Sequence, residues 1–415
     1  MRIRKGNKMK VIDGGINAPI GFEAAGVEAG VKYENRKDMA IIYSEAPCVV
    51  AGTFTSNVVK AAPVKWDMDV VANSPFAQAV IVNTGIANAG TGKEGMDCCA
   101  ETAKAAAAEL NIPENAVLIG STGVIGAHLP MDRIKAGVKK LVATKSHDAA
   151  DGTNASKAIM TTDTVNKELA VSLEIKGKTV TIGAMSKGSG MIHPNMCTML
   201  GYVTTDANIS KETLTKILKE DVADTYNMIS VDGDTSTNDT LLVMANKMAG
   251  NEEIREGTPE YEEFKEALHY VNETQAKRLA GDGEGANALI ECKVINADTK
   301  ENARVLAKSV ICSSLTKAAV FGHDANWGRI LCALGYSGAQ FDPEKMELYY
   351  QGSSASMLIY KDGAGTDYSE EEASKLLSEK EVRFLVDVKM GDESATAWGC
   401  DLTYDYVKIN ADYRS

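Results

Sequence analysis

Ser186-Lys187-Gly188-Ser189-Gly190-Met191-Ile192-His193-Pro194-Asn195-Met196-Cys197-Thr198-Met199-Leu200 is the most informative stretch of this chain. A lysine and two closely spaced glycines come first, then a Pro-Asn turn, then a threonine that opens an apolar run. Glycine permits close backbone approach, and Pro-Asn sets a turn. Two readings fit. One is a plain polar connection between strands. The other is a backbone held under strain so that Thr198 does chemistry.

Outward from this stretch, strands and helices interleave. Leu169 to Ile175 and Val180 to Met185 flank Lys176-Gly177-Lys178-Thr179, a hairpin signal that leads into Lys187. Met39 to Tyr43 and Gln78 to Val82 are short apolar runs that read as strands. Asp97 to Leu110 is alanine-rich and helical. Ala116 to Ile119 reads as a strand, followed by a Gly120-Ser121-Thr122-Gly123 loop. Ser210 is placed to cap a helix that runs to about Tyr226. Tyr261 to Leu279 carries Phe264, Leu268, Val271 and Leu279 as a buried stripe. Ala288 to Val294 and Val382 to Met390 alternate apolar with charged residues, which predicts half-buried, antiparallel strands. The mixture implies α+β layering. Two domains are expected, 1–285 and 286–415, with the boundary in the glycine-rich stretch near residue 285.

Composition removes several function classes. The chain has 415 residues, 44% of them hydrophobic, and a net charge of -13. That balance is unsuited to nucleic acid or to anionic membranes, where basic surfaces supply the affinity. No signal peptide or membrane-length apolar run is readable. The eight cysteines lack a Cys-x-x-Cys pair, which suits reduced thiols and a cytoplasmic protein. Ala87 and Glu94 spoil a phosphate loop at 87–94. The glycines at 281–285 follow a helix, where a dinucleotide loop would follow a strand. Asp232-Gly233-Asp234 starts like a calcium loop, but Thr237 and Val243 occupy its glycine and glutamate positions. The histidines offer no helical metal pair, so no metal is expected. His323-Asp324 reads as a base or, more simply, as the approach to a helix cap.

Thr198 alone is a poor nucleophile. An N-terminal threonine is different, because its own α-amine serves as base. Such an amine has a pKa of about 7.7–8.0 and is partly neutral near pH 7. Exposing it requires a cut at Cys197-Thr198. The Thr198 hydroxyl attacks the preceding carbonyl, amide becomes ester, and water hydrolyses the ester.

The stretch at 187–200 resembles the self-cleaving segment of the ornithine acetyltransferases of arginine biosynthesis, also called glutamate N-acetyltransferases, the ArgJ family. The likeness continues through Gly14-Gly15-Ile16-Asn17-Ala18-Pro19, Phe54 to Pro63, Gly120-Ser121-Thr122-Gly123-Val124-Ile125-Gly126 and Met160-Thr161-Thr162-Asp163-Thr164. Late in the chain it includes Asp282-Gly283-Glu284-Gly285-Ala286 and Asn410-Ala411-Asp412-Tyr413-Arg414-Ser415. Cys197 stands where alanine is commoner, Ile86 where asparagine is, and Gly90 where cysteine is.

The resemblance implies a layered αββα sandwich with a smaller C-terminal α/β domain. It implies cleavage between Cys197 and Thr198 into chains 1–197 and 198–415, which stay associated as an α2β2 assembly. Thr198 is then the acyl-accepting nucleophile. Thr122 and Gly123 form the oxyanion hole, and Thr161, Lys187, Thr198, Glu284, Asn410 and Ser415 bind substrate. The implied reaction is ping-pong acetyl transfer from N-acetylornithine to glutamate without a cofactor, with acetyl-CoA as an additional donor in some members. Two other readings stay open on the residues alone: an N-terminal-threonine amidohydrolase, and an uncleaved amino-acid-binding protein.

Overall fold

A computed structural model describes residues 9–193, 199–353 and 355–412. The strands are β1 (Lys10–Ile12), β2 (Phe22–Val27), β3 (Met39–Phe54), β4 (Ala77–Ile86), β5 (Val117–Val124), β6 (Lys167–Ile175), β7 (Lys178–Lys187), β8 (Leu200–Thr205), β9 (Ile229–Ser230), β10 (Thr240–Ala245), β11 (Leu289–Ala297), β12 (Glu347–Gln351), β13 (Ser356–Lys361), β14 (Ala364–Gly365), β15 (Glu381–Asp387) and β16 (Glu393–Cys400). The helices are α1 (Ala62–Asn73), α2 (Gly92–Leu110), α3 (Met131–Thr144), α4 (Ala149–Ala158), α5 (Lys211–Val222), α6 (Pro259–Gly281), α7 (Lys300–Cys312), α8 (Ser314–Phe321), α9 (Trp327–Gly335), α10 (Glu370–Leu377) and α11 (Tyr404–Ala411). Together they make an α+β fold of two compact units. The first takes the described residues within Met1–Gly188, Asn195–Val222 and Thr235–Gln275; the second takes those within Ser189–Pro194, Ala223–Asp234 and Ala276–Ser415. The chain therefore passes between units several times, whereas the sequence reading places one boundary near residue 285. Local composition carries no signal for segments as short as 189–194, which join a unit through distant partners.

In the first unit, the strands run in the order β1-β6-β7-β8-β10-β3-β4-β5, with β2 on β3. The long strand β3 belongs to both halves of this sheet. Its start pairs with β2 and β4 and its end, Val49 to Phe54, with β10. The register shifts between Tyr43 and Cys48, around Pro47, because proline has no N–H for a ladder. The two halves meet in one core, where Val80, Val82 and Leu118 join Met185, Leu200, Tyr202 and Leu242. Side chains alternate across a strand. Ile41, Ile81 and Ile119 therefore face the other way, onto Ala103 and Ala106 of α2 and Ile134 and Val138 of α3. On β7, Ser186 points opposite to Met185 and donates to Gln275 of α6 at 2.9 Å. Asp221 of α5 accepts from Asn272 of α6 at 2.6 Å. Helix, sheet, sheet, helix is the order, as expected of an αββα sandwich.

In the second unit the sheet order is β14-β13-β12-β15-β11-β16-β9. Ile290, Cys292 and Val294 are buried on β11, as their alternation predicts. The predicted antiparallel character holds only in part. β11 pairs antiparallel with β16 but parallel with β15, because alternation reports which face is buried and not strand direction. Two other expectations change. Gly120 to Gly123 is not a loop, since β5 continues to Val124 beside β4. The helix after Ser210 ends at Val222, and a separate turn covers Tyr226–Met228. Ser210 does cap it, its hydroxyl accepting from the Thr213 N–H at 3.1 Å. Asn326 stands at the N-cap position of α9, but its side chain makes no capping hydrogen bond.

Candidate active site

The 187–200 stretch joins two neighbouring strands. β7 and β8 are antiparallel, with Lys187 opposite Leu200. Thr198 and Cys197 lie outside the described residues. By covalent bonding Thr198 precedes Met199, whose carbonyl accepts from the Thr240 N–H at 2.9 Å at the start of β10. Lys187 is buried, and its Nζ donates to Thr122 Oγ1 at 3.2 Å. A hydroxyl that accepts from an ammonium keeps its own proton for a third atom.

Thr122 and Gly123 sit at the end of β5, where the pairing with β4 slips around Gly85 and Ile86. Such a bulge re-aims the backbone. Gly123 has φ +131°, and a Cβ there would lie 2.2 Å from the Gly85 carbonyl carbon, so only glycine fits. Asn238 secures this end, donating to the carbonyls of Ala87 at 2.6 Å and Ser121 at 2.8 Å.

Two buried carboxyls face Lys187, and their environments separate them. Asp163 Oδ1 accepts from Lys167 Nζ at 2.7 Å and from the Gly188 N–H at 2.7 Å, while Oδ2 accepts from the Thr161 N–H at 3.1 Å. Burial pushes Asp163 up, but Lys187, Lys167 and these hydrogen bonds outweigh it and hold the carboxyl down at about 2. Asp239 is the opposite case. Burial raises it well above the usual carboxylate range, against the pull of Ser236, Thr55 and Lys187. Its Oδ2 has no hydrogen-bond partner among the described residues. The two environments thus push the carboxyls apart, Asp163 toward the anion and Asp239 toward the neutral acid.

The second unit holds a separate group. Glu284 is buried, and its Oε2 accepts from Asn410 Nδ2 at 2.7 Å. The Glu284 N–H donates to the Ser189 carbonyl at 3.0 Å. A Cβ on Gly190 would lie 2.4 Å from the Glu284 carboxyl, so glycine is required for this approach. Asp232 accepts from the N–H groups of Met191 and Ile192 at 2.6 and 2.8 Å. Burial, with Lys308 nearby, lowers His193 to about 4 despite Asp232. The aspartate that imitates a calcium loop is therefore a backbone acceptor for the segment before Pro194.

Of the predicted residues, the structure brings Thr122, Gly123, Lys187 and Thr161 into one neighbourhood of the first unit, the last through Asp163. It joins Glu284 to Asn410 in the second. Cys197, Thr198 and Ser415 lie outside the described residues. Sequence reading missed Asp163, Asp239 and Asn238, and met Asp232 only as the start of a rejected calcium loop. Only the quoted Met160 to Thr164 motif hinted at the first. Among the described residues no cluster of His, Cys, Asp or Glu is placed to hold a metal, and no helix is long and apolar enough to cross a membrane.

The sequence profile of the ArgJ family matches residues 23–415. This chain belongs to the ArgJ family. Arginine biosynthesis bifunctional protein ArgJ of Thermotoga neapolitana is 48% identical over 96% of this chain and 99% of that protein. Arginine biosynthesis bifunctional protein ArgJ 1 of Clostridium acetobutylicum is 51% identical over 95% of this chain and 96% of its own length. Among solved structures, the ArgJ chain from Bacillus halodurans is 44% identical, with a TM-score of 0.49 over 51% of this chain and 97% of that one. The ArgJ matches reach both units, so the Lys187 and Glu284 neighbourhoods both lie within the shared family region.

Proposed function

We propose that this chain is a glutamate N-acetyltransferase of arginine biosynthesis that cleaves itself at Cys197-Thr198. The observation that carries this reading is the Lys187 ammonium on the Thr122 hydroxyl, with Lys187 opposite Leu200, two residues past Thr198. An acyl-transfer site needs a donor pair for the oxyanion close to its nucleophile. The names of the full-length relatives, bifunctional proteins of arginine biosynthesis, support the pathway.

In the first step the Thr198 hydroxyl adds to the Cys197 carbonyl carbon. The C–N bond breaks as the ester forms, and the proton passes from Oγ to the new amine. Water then splits the ester. In turnover this amine takes the Thr198 proton during attack on the acetyl carbonyl of N-acetylornithine. The Thr122 hydroxyl and Gly123 N–H meet the oxyanion, and ornithine leaves with a proton. The amine of glutamate then attacks acetyl-Thr198 and departs as N-acetylglutamate. Lys187 and Glu284 offer opposite charges to substrate carboxylates and ammonium groups, and Thr161, Asn410 and Ser415 add neutral hydrogen bonds. No cofactor enters this scheme. The two products of cleavage remain paired in an α2β2 assembly in the cytoplasm.

Denaturing gels and intact mass test this directly. The expected result is two chains from the 44.2 kDa polypeptide, one beginning at Thr198 and gaining one acetyl group with N-acetylornithine. Thr198→Ala gives a single uncut chain. Cleavage that persists in Thr198→Ala, or acetate released with no N-acetylglutamate, defeats the proposal; the second outcome favours an amidohydrolase.

A further inference from the structure

We propose that Asp163 is a positioning residue of the acetyl-transfer site, holding the Lys187-Gly188 end of β7 against the backbone of Thr161. The inference rests on the reading above, in which Lys187 and Thr161 grip the amino acid. Asp163 lies in the connection between α4 and β6, outside both strands it organises. Lys167, the first residue of β6, pairs in register with Ser186. Asp163 therefore sits where the β6–β7 ladder ends and the cleavage segment begins. One oxygen takes Lys167 Nζ and the Gly188 N–H, and the other takes the Thr161 N–H. The side chains of Asp163 and Lys167 are both fully buried.

This geometry exceeds what an ion pair needs. Neutralising Lys167 requires one oxygen and no backbone amide. The second oxygen and the Gly188 amide fix two loops relative to each other, and each loop carries an expected substrate contact. Arg36 completes the arrangement from the far side of the Thr161 peptide, donating to the Thr161 carbonyl at 3.1 Å. Thr161 is thus held at both its N–H and its carbonyl. Asp163, Thr161 and Thr164 also line one open cleft with Arg36, Lys37 and Lys157. Displacing a positioning group by one methylene moves contacts that bind substrate, without touching the atoms that react.

The test uses the self-processed enzyme and separates fold from function. Asp163→Asn leaves Lys167 and Lys187 facing a neutral amide, so Lys167→Met is combined with it to remove one buried charge. A buried ion pair replaced on both sides is often neutral for stability. The Asp163→Asn/Lys167→Met enzyme is expected to melt cooperatively like wild type, with KM for glutamate raised at least about tenfold and kcat within about threefold. Asp163→Glu keeps the charge but shifts it, and is expected to raise KM by a smaller factor. Wild-type KM in the folded double variant overturns the inference. So does an unfolded double variant combined with wild-type KM in Asp163→Glu. Lys187→Met serves as the control: if it leaves KM unchanged, the reading of Lys187 as a substrate contact has failed. If it raises KM while the Asp163 variants do not, only the positioning role has failed.

Discussion

Lys187 meets two carboxyls that share its neighbourhood but not its charge state, and this contrast is the chemistry of the first unit at the scale of single residues. Asp163 is held by ammonium and N–H groups that favour the anion; Asp239 is buried, with one oxygen that has no partner among the described residues, and burial favours its protonated form. The second case has a measurable sign. In the unfolded chain an aspartate loses its proton near pH 4. Above that pH the native state binds one proton more than the unfolded state at Asp239. Stability contributed by this residue therefore falls as pH rises from 3 to 7. Asp239→Asn is neutral at every pH and escapes that loss. Its effect on stability should move in the stabilising direction between pH 3 and pH 7, read by urea unfolding in the uncut Thr198→Ala chain. A pH-independent difference would mean that Asp239 is ionised in the fold. None of these states is legible in the sequence. Lys167, Thr161 and Ser236 lie within a few residues of Asp163 or Asp239, but Lys187, Gly188 and Thr55, which complete the two environments, come from distant parts of the chain.

Elements were legible where the local rule is sufficient. The β6–β7 hairpin is readable because Gly177, between two alternating runs, marks the turn; it takes φ +77°, and Lys176 beside it φ +48°. The α6 stripe is readable because helical spacing alone places Phe264, Leu268, Val271 and Leu279 inside. β5 was not. Gly120 to Gly123 has turn composition, but the β4 ladder supplies backbone partners that composition does not reveal. The glycines there answer to packing. A Cβ on Gly120 would lie 2.1 Å from Tyr202 Oη on β8, and that hydroxyl is buried with no hydrogen-bond partner among the described residues. A buried unpaired hydroxyl costs about 1–3 kcal/mol. Tyr202→Phe should therefore be neutral or raise stability, by up to about that amount. Gly120→Ala should be milder in the Phe background than in wild type, which a double-mutant cycle measures. Destabilisation by Tyr202→Phe alone would show that the hydroxyl has a partner in solution.

For the whole molecule, the order of strands decides what a cut at Cys197-Thr198 can do. Chain 1–197 would own β1 to β7, and chain 198–415 would own β8 and β10. The sheet order places β8 and β10 between β7 and β3. Both outer flanks of that inserted pair are thus ladders to the other chain: Lys187 to Ile182 against β8, and Val49 to Phe54 against β10. Inner-face residues from both pieces, such as Leu118 and Leu242, also share one core. Separating the pieces means opening the sheet at two seams and exposing that core, which is equivalent to unfolding the unit. The pieces should therefore co-elute in native size-exclusion chromatography and part only at denaturant concentrations where far-ultraviolet circular dichroism is lost. Expressed alone, 198–415 would present β8 and β10 with both flanks unpaired, a template for aggregation, and should be insoluble unless 1–197 is co-expressed. Dissociation in mild denaturant with the dichroism intact would contradict this strand order. The same interleaving fixes the sequence of events. A chain cut before folding would have to assemble its central strands from two molecules, so the proposed cleavage would follow folding, and refolding of separated pieces should recover far less activity than refolding of uncut chain.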